Sequence, residues 1–138
     1  SLARENAQRN GLENRVEWLV GDLAQPAAHL APFDLVIANL PYIPTQVIDQ
    51  LQPEVRLHDP RLALDGGADG LQLVRRLLKE LPPLLTPQGM LFLEVGHDQK
   101  EAMEQAIALD PSWSLLEYAS DLEGIPRFPI LQRKGGEQ

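Results

Sequence analysis

Apolar positions change rhythm several times along the chain, and each change predicts an element. Leu2 to Asn10 holds helix formers without proline and runs into Gly11, a natural left-handed cap, so a helix is expected, one that enters the chain already under way. Val16, Trp18 and Val20 alternate with other residues from Arg15 to Val20 until Gly21-Asp22 stops the run, the pattern of a strand. Ala24 to Pro32 is a connector with room for a short helix between its two prolines. Phe33 to Ala38 is nearly continuous in apolar residues and predicts a strand buried on both faces, as in a parallel sheet. Leu71, Val74, Leu77, Leu78 and Leu81 recur at helical spacing, behind Asp69 and Gln72 at capping-box spacing, until Pro82-Pro83 ends the helix.

Gly89 to Val95 reads as a second buried strand, and Gln99 to Leu109 as a helix with Ala102, Met103, Ala106 and Ile107 inward. Trp113 to Tyr118 is a third strand-like run. Ile125 to Gln132 is expected to return as the second arm of a hairpin, with Pro129 marking an edge or a bulge. Strands alternating with helices predict an α/β domain with a largely parallel sheet. Residues 39–68 break the pattern with Pro41, Pro44, Pro53, Pro60, Gly66 and Gly67; an irregular stretch of that length is either functional or disordered. Lys134 to Gln138 is expected to fray.

Composition narrows the function classes. The 138 residues fit one domain, with 43% hydrophobic and 23% charged residues, the balance of a folded chain. Lys plus Arg number 12 against 20 Asp plus Glu, and the net charge of −8 argues against wrapping a nucleic-acid backbone in a basic field. The absence of Cys excludes disulfides, zinc-thiolate sites and a thiol nucleophile. His29, His58 and His97 lack ligand spacing, so no metal site is expected. Ser112, Ser114 and Ser120 have no His arrangement that suggests a hydrolase. Trp18 and Trp113 read as core or rim packing. The longest uncharged stretch, Leu35 to Ile48, is too short for a membrane span, and the polar helix-like start after Arg4 and Glu5 is not expected to be a signal peptide.

Ligands of an open parallel sheet sit beyond the carboxyl ends of its strands. Two such ends are polar here: Asp22, just after Val20, and Asn39-Leu40-Pro41-Tyr42, directly after Ala38. Asn39 offers an acceptor and a donor. Pro41 fixes its own φ and pushes Leu40 toward an extended conformation that can leave the Leu40 carbonyl free. Tyr42 adds a flat face. Two acceptors and a platform match a planar NH2 group, held so that its nitrogen faces an electrophile. Taken alone, the tetrapeptide could equally be a turn after a buried strand. Asp22 reads either as a helix cap or as a cofactor contact.

The tetrapeptide resembles the Asn-Pro-Pro-Tyr motif of S-adenosylmethionine-dependent methyltransferases that act on planar nitrogens. The flanking series is more specific: Tyr42-Ile43-Pro44, Glu54-Val55-Arg56, Asp59-Pro60-Arg61-Leu62-Ala63-Leu64-Asp65-Gly66-Gly67-Ala68-Asp69-Gly70-Leu71 and Glu94-Val95-Gly96-His97-Asp98-Gln99. Together with Leu2-Ala3-Arg4-Glu5-Asn6-Ala7, Gly21-Asp22 and Asp121 to Phe128, it is similar to the protein-(glutamine-N5) methyltransferases of peptide chain release factors.

That resemblance implies a Rossmann-like class I methyltransferase fold, a mostly parallel sheet with a C-terminal antiparallel hairpin. It implies methyl transfer from S-adenosylmethionine to a glutamine amide in the Gly-Gly-Gln loop of a release factor, a cytoplasmic protein partner, without direct nucleic-acid or membrane contact. By position, Asn39 and the Leu40 carbonyl would hold the substrate amide, Tyr42 would pack against it and Pro41 would fix the loop. Asp22 and Leu23 would meet the adenine, with Asn39 near the methionine end of the cofactor. The family's glycine-rich cofactor loop and its acidic partner belong to two earlier strands. Residues 1–138 are therefore expected to be a partial catalytic domain lacking the first two strands and catalytically incomplete alone.

Leu40 departs from the family's usual first proline. Asn-Leu-Pro-Tyr is also the form typical of ribosomal-RNA adenine-N6 dimethyltransferases, which makes that activity the alternative, beside a non-catalytic fragment or binding module. The −8 charge and the Asp-Gly-Gly-x-Asp-Gly-Leu series count against the RNA enzyme. Glu54, Arg56, Asp59 and Arg61 would either face substrate or form a salt-bridged loop surface.

Overall fold

The computed structural model describes residues 1–48, 50 and 64–135. Helix α1 (Leu2–Arg9) opens on Ser1, whose hydroxyl accepts the Arg4 N–H at 3.3 Å, and gives way to Gly11 at φ +67°. A 3-10 helix (Gln25–Leu30) occupies the connector expected to hold a short helix, and β1 (Phe33–Ala38) follows. Beyond a short α2 (Thr45–Ile48) come α3 (Gln72–Glu80) and a 3-10 turn at Pro82–Leu84. The remaining elements are β2 (Leu85–Leu93), α4 (Lys100–Ala108), β3 (Trp113–Ser120) and β4 (Pro126–Arg133).

The four described strands lie in the order β1-β2-β4-β3. β1 and β2 are parallel, with Val36 beside Leu91 and Ala38 beside Leu93. β4 runs antiparallel to both β2 and β3, which gives the C-terminal hairpin that the sequence predicts. Side chains alternate across a strand, so Leu91 and Leu93 share one face with Leu131 of β4. Val74, Leu77 and Leu78 of α3, with Met103 and Ile107 of α4, join them and Trp113 in one buried cluster. Each such side chain contributes about 1.5–3 kcal/mol by leaving water.

Four expectations need correction. Residues Arg15 to Val20 form no strand, and Val20 is 97% exposed. A strand needs a neighbour for its N–H and C=O groups, and β1 pairs only with β2 among the described residues. For the same reason β1 is not buried on both faces: Leu35 and Ile37 are 51% and 76% exposed, because the packed helices cover the opposite side.

β4 is an interior strand, not an edge. Pro129 is fully buried and lies opposite Tyr118. Its missing N–H falls between the last registered β2–β4 pair, Phe92 with Ile130, and the bond from the Val95 N–H to the Arg127 carbonyl at 2.8 Å. The register irregularities lie on the β3 side, between Leu115 and Glu117 and between Ala119 and Ser120.

The capping box does not form in its expected register. Asp69 Oδ1 accepts the Leu71 N–H at 3.0 Å, while the Gln72 N–H reaches the Gly66 carbonyl at 2.9 Å. Helix α3 thus begins from a tight loop anchored at Gly66 rather than from a side-chain cap on Asp69. The expected surface group of Glu54, Arg56, Asp59 and Arg61, and His58 with it, lies outside the described residues.

Candidate active site

Asn39-Leu40-Pro41-Tyr42 leaves the carboxyl end of β1 beside the end of β2, where the Glu94 N–H meets the Ala38 carbonyl at 3.4 Å. Asn39 is exposed, whereas Leu40 is half-buried against the core cluster and draws the turn down onto it. Pro41 and Tyr42 are half-buried. Among the described residues neither the Asn39 side-chain amide nor the Leu40 carbonyl has a hydrogen-bond partner. The turn therefore presents two free acceptors.

The chain after the turn is tied down closely. The Ile43 N–H donates to the Leu64 carbonyl at 2.9 Å and the Gly66 N–H to the Ile43 carbonyl at 2.8 Å, closing a parallel bridge between Ile43 and Asp65. Thr45 Oγ1 donates to Asp65 Oδ1 at 2.7 Å, and the same oxygen accepts the Gly67 N–H at 3.0 Å. Gly66 comes so near that a Cβ there would stand 2.7 Å from the Pro41 carbonyl oxygen. On the other side, Asp69 pairs with Arg75 at 2.5 Å. The Arg75 guanidinium, and after it the Leu71 N–H, hold the Asp69 carboxyl below the usual range despite partial desolvation.

Asp22 and Leu23 part company. Asp22 Oδ2 accepts from the Arg76 guanidinium at 2.6 Å, and Arg76 also lies 3.7 Å from Glu80. The Asp22 side chain caps no helix, since Ala24 occupies the cap of the 3-10 helix and only the Asp22 carbonyl accepts, from the Gln25 N–H at 3.1 Å. Leu23 turns inward at φ +51° and lines an apolar cavity of about 450 Å³ with Phe33, Val36, Ala38 and Leu40. Leu23 and Leu40 are thus brought to one cavity, with Asp22 next to it in the chain. Asn39 lines a separate groove of about 400 Å³ with Phe92, Glu94 and Phe128.

Curated proteins called release factor glutamine methyltransferase align with this chain, three of them as follows. The protein of Caulobacter vibrioides is 50% identical over 104 residues, 75% of this chain and 36% of its own length. That of Rhodospirillum rubrum is 50% identical over 134 residues, 96% of this chain and 40% of its own. That of Thermosynechococcus vestitus is 40% identical over 132 residues, 95% of this chain and 45% of its own. The chain belongs to the release factor glutamine methyltransferase family. It spans less than half the length of these relatives. No family model matches it. The crystal structure of TrmN from Thermus thermophilus superposes with a TM-score of 0.59 at 22% identity, over 96% of this chain and 32% of that one, a likeness of fold.

Two groups around this turn make contacts that the reading of the sequence assigned to neither, although both lie in segments of the resemblance. Asp121 gathers the Glu123 and Ile125 N–H groups and the Arg127 guanidinium, at 2.8, 3.0 and 2.6 Å. The Ile125 N–H first, then Arg127, lowers its pKa. Arg127 in turn feels Tyr42 and Glu94 as well as Asp121, its dominant partner. The other group is Gln99, buried at 5% exposure just ahead of α4. One sign of it was present in the sequence: Gln is not among the favoured residues at a helix start.

Proposed function

We propose that this chain supplies the substrate-amide site of an enzyme that moves a methyl group from S-adenosylmethionine to the side-chain nitrogen of a glutamine in a peptide chain release factor. The observation that carries the reading is the free acceptor pair, the Asn39 side chain and the Leu40 carbonyl, on a turn tied at Tyr42, Ile43 and Gly66. Names of the aligned relatives support the substrate. An amide nitrogen is a poor nucleophile because its lone pair is delocalised into the carbonyl. Acceptors on both N–H bonds push density back to the nitrogen as it attacks, and the bound geometry aims it at the electrophile. Both protons stay on the nitrogen, hydrogen-bonded to the two acceptors, while the methyl group would pass to nitrogen and the thioether of S-adenosylhomocysteine would leave; one proton then goes to solvent, so no dedicated base is needed for attack.

The cofactor supplies an electrophilic methyl group. The residues present suit part of it: the apolar cavity walled by Leu23, Phe33 and Leu40 has room for a flat purine, and Asp22, paired with Arg76, precedes Leu23 in the chain. Asp22 and Leu23 would hold the adenine, and Asn39 would lie near the methionine end. We place residues 1–138 within a catalytic domain whose glycine-rich cofactor loop lies outside them, acting in the cytoplasm; transfer is then a property of the full-length protein.

The test is label transfer from tritiated S-adenosylmethionine by the full-length protein to purified release factor, with the modified peptide sequenced by mass spectrometry. Label on the glutamine of the Gly-Gly-Gln loop is the expected result, and Asn39→Ala should cut the rate about 10²-fold, the scale of one lost transition-state hydrogen bond. Label on adenine of ribosomal RNA instead would replace this reading with the alternative that Asn-Leu-Pro-Tyr also suits. Absence of any transfer would leave a binding module.

A further inference from the structure

The side chain of Gln99 does not cap the helix it precedes. It reaches back to three separate segments of the chain, and every partner is backbone. Its Oε1 accepts the Gly96 N–H at 2.6 Å, while Nε2 donates to the Tyr42 carbonyl at 2.8 Å and to the Asp69 carbonyl at 3.3 Å. One acceptor and two donors are all used, in a site 5% exposed.

The surroundings are shaped to let this amide in. Gly70 lies at φ +83°, and a Cβ there would run into both the Tyr42 carbonyl oxygen and Gln99 Nε2. A Cβ on Gly96 would stand 3.0 Å from Gln99 Oε1 and 3.4 Å from the Tyr42 ring. No other common side chain of this size offers the same set. Glu would press a carboxylate against two carbonyl oxygens, and Met would fill the volume with no bond at all.

We propose that Gln99 is a positioning residue for methyl transfer: its amide fixes the Tyr42 carbonyl and, through the stiff Leu40-Pro41 link, the direction in which Asn39 and the Leu40 carbonyl present their acceptors. The inference rests on the proposed function above. Transmission needs few soft torsions, since Pro41 fixes its own φ and restricts Leu40. Gln99 touches no reacting atom. It joins the turn after β1 to the loop before α3 and the turn before α4, so the turn cannot rotate without breaking buried hydrogen bonds.

The experiment uses the full-length protein and two variants, Gln99→Glu and Gln99→Met, with Ile107→Ala as a control that loosens the core of the same helix far from the turn. Transfer to release factor is measured for kcat and for both KM values, and hydrogen–deuterium exchange is followed over residues 39–48 and 66–72. Both Gln99 variants should lose about 10²-fold in kcat, the cost of a small misplacement, with KM for S-adenosylmethionine within about twofold, and exchange should rise in those two segments. Ile107→Ala should keep its kcat. Should Gln99→Glu not fold, Gln99→Met carries the test, since it keeps the volume. Undiminished kcat in a folded Gln99 variant, or unchanged exchange over 39–48, overturns the positioning role. An equal kcat loss in Ile107→Ala also overturns it, because stability alone would then explain the effect. Failure of the unaltered protein to methylate release factor overturns the functional reading instead, and is seen before any variant is made.

Discussion

Gly70 and Gly124 form a matched pair for measuring how much the closeness of the turn is worth. Both have positive φ, +83° and +81°. A Cβ on Gly124 meets nothing within 4 Å, whereas one on Gly70 collides with the Tyr42 carbonyl and the Gln99 amide. Alanine at Gly124 should therefore cost only the left-handed backbone penalty, about 1–2 kcal/mol. Alanine at Gly70 carries that penalty and also parts the Gln99–Tyr42 bond, and a buried polar group left unmet costs about 1–3 kcal/mol more. The excess of Gly70→Ala over Gly124→Ala is thus about 1–3 kcal/mol. Urea unfolding of both variants, followed by tryptophan fluorescence, gives the two free energies, and the backbone penalty cancels in their difference. Adding Gln99→Ala to each sharpens the result. Gly70→Ala and Gln99→Ala break one shared contact and should fall short of additivity, whereas Gly124→Ala and Gln99→Ala should add. Equal costs at the two glycines, or full additivity of Gly70→Ala with Gln99→Ala, would refute the close-packed clamp.

Trp113, 2% exposed, donates its indole N–H to the Leu78 carbonyl at 2.9 Å, so Trp113→Phe should lose about 2–3 kcal/mol in denaturant unfolding through the vacated volume and the orphaned carbonyl; a loss under about 0.5 kcal/mol would contradict that anchoring. The Tyr118 hydroxyl is buried with no hydrogen-bond partner among the described residues, and burial first, then Glu104, pushes its pKa up from 10.0 to about 12. Because the unfolded phenol ionises first, this contribution is complete below pH 10.0 and is lost as pH rises through about 12. Tyr118→Phe should remove that alkaline loss and gain about 1 kcal/mol at neutral pH, which thermal melts across the pH range will read. Asp121 has the opposite sign. Its lowered pKa makes its contribution complete above the ordinary 3.8 and lost as pH falls through the folded value, so Asp121→Asn should flatten the acid limb of Tm against pH; an unchanged limb would show that the Ile125 and Arg127 contacts do not stabilise the carboxylate.

The fold was most legible where a segment's own pattern and its packing agree. The Leu71, Val74, Leu77, Leu78 and Leu81 spacing needs only one apolar face to become α3, and that face is buried as expected. The hairpin of β3 and β4 was legible for the same reason, since each arm finds its partner a few residues away. Legibility failed where the outcome depends on a neighbour the segment does not carry. Val16, Trp18 and Val20 have a strand's alternation, yet alternation cannot supply a ladder, and Val20 stands in solvent. Pro129 misled in the other direction. Proline in a run suggests an edge, but one missing N–H is harmless in an interior strand when it falls where the neighbour's register has lapsed, between Ile130 and Arg127.

The site divides along the same line. A short motif is legible because its chemistry is carried by consecutive residues: Asn39, the Leu40 carbonyl and Pro41 define two acceptors and a stiff link whatever surrounds them. What holds the motif in place is spread over residues 65–70, 96 and 99, and each of these has a bland local reading. Gly66 and Gly70 look like turn glycines, Asp69 like a cap and Gln99 like an ordinary polar residue at a helix start. Only three-dimensional closure shows that Gly70 is small because Gln99 must pass it, and that Gln99 is an amide because Tyr42, Asp69 and Gly96 present two acceptors and one donor. Asp22 makes the converse point. Its strand-end position suggested a cofactor contact, but the carboxylate is engaged by Arg76, more than fifty residues away, at 2.6 Å. A ligand that needs Asp22 must therefore compete with or share the Arg76 guanidinium. Since both side chains are about half exposed, water screens that pair and its net strength is small, so the exchange is open to a ligand that offers a better donor than solvent.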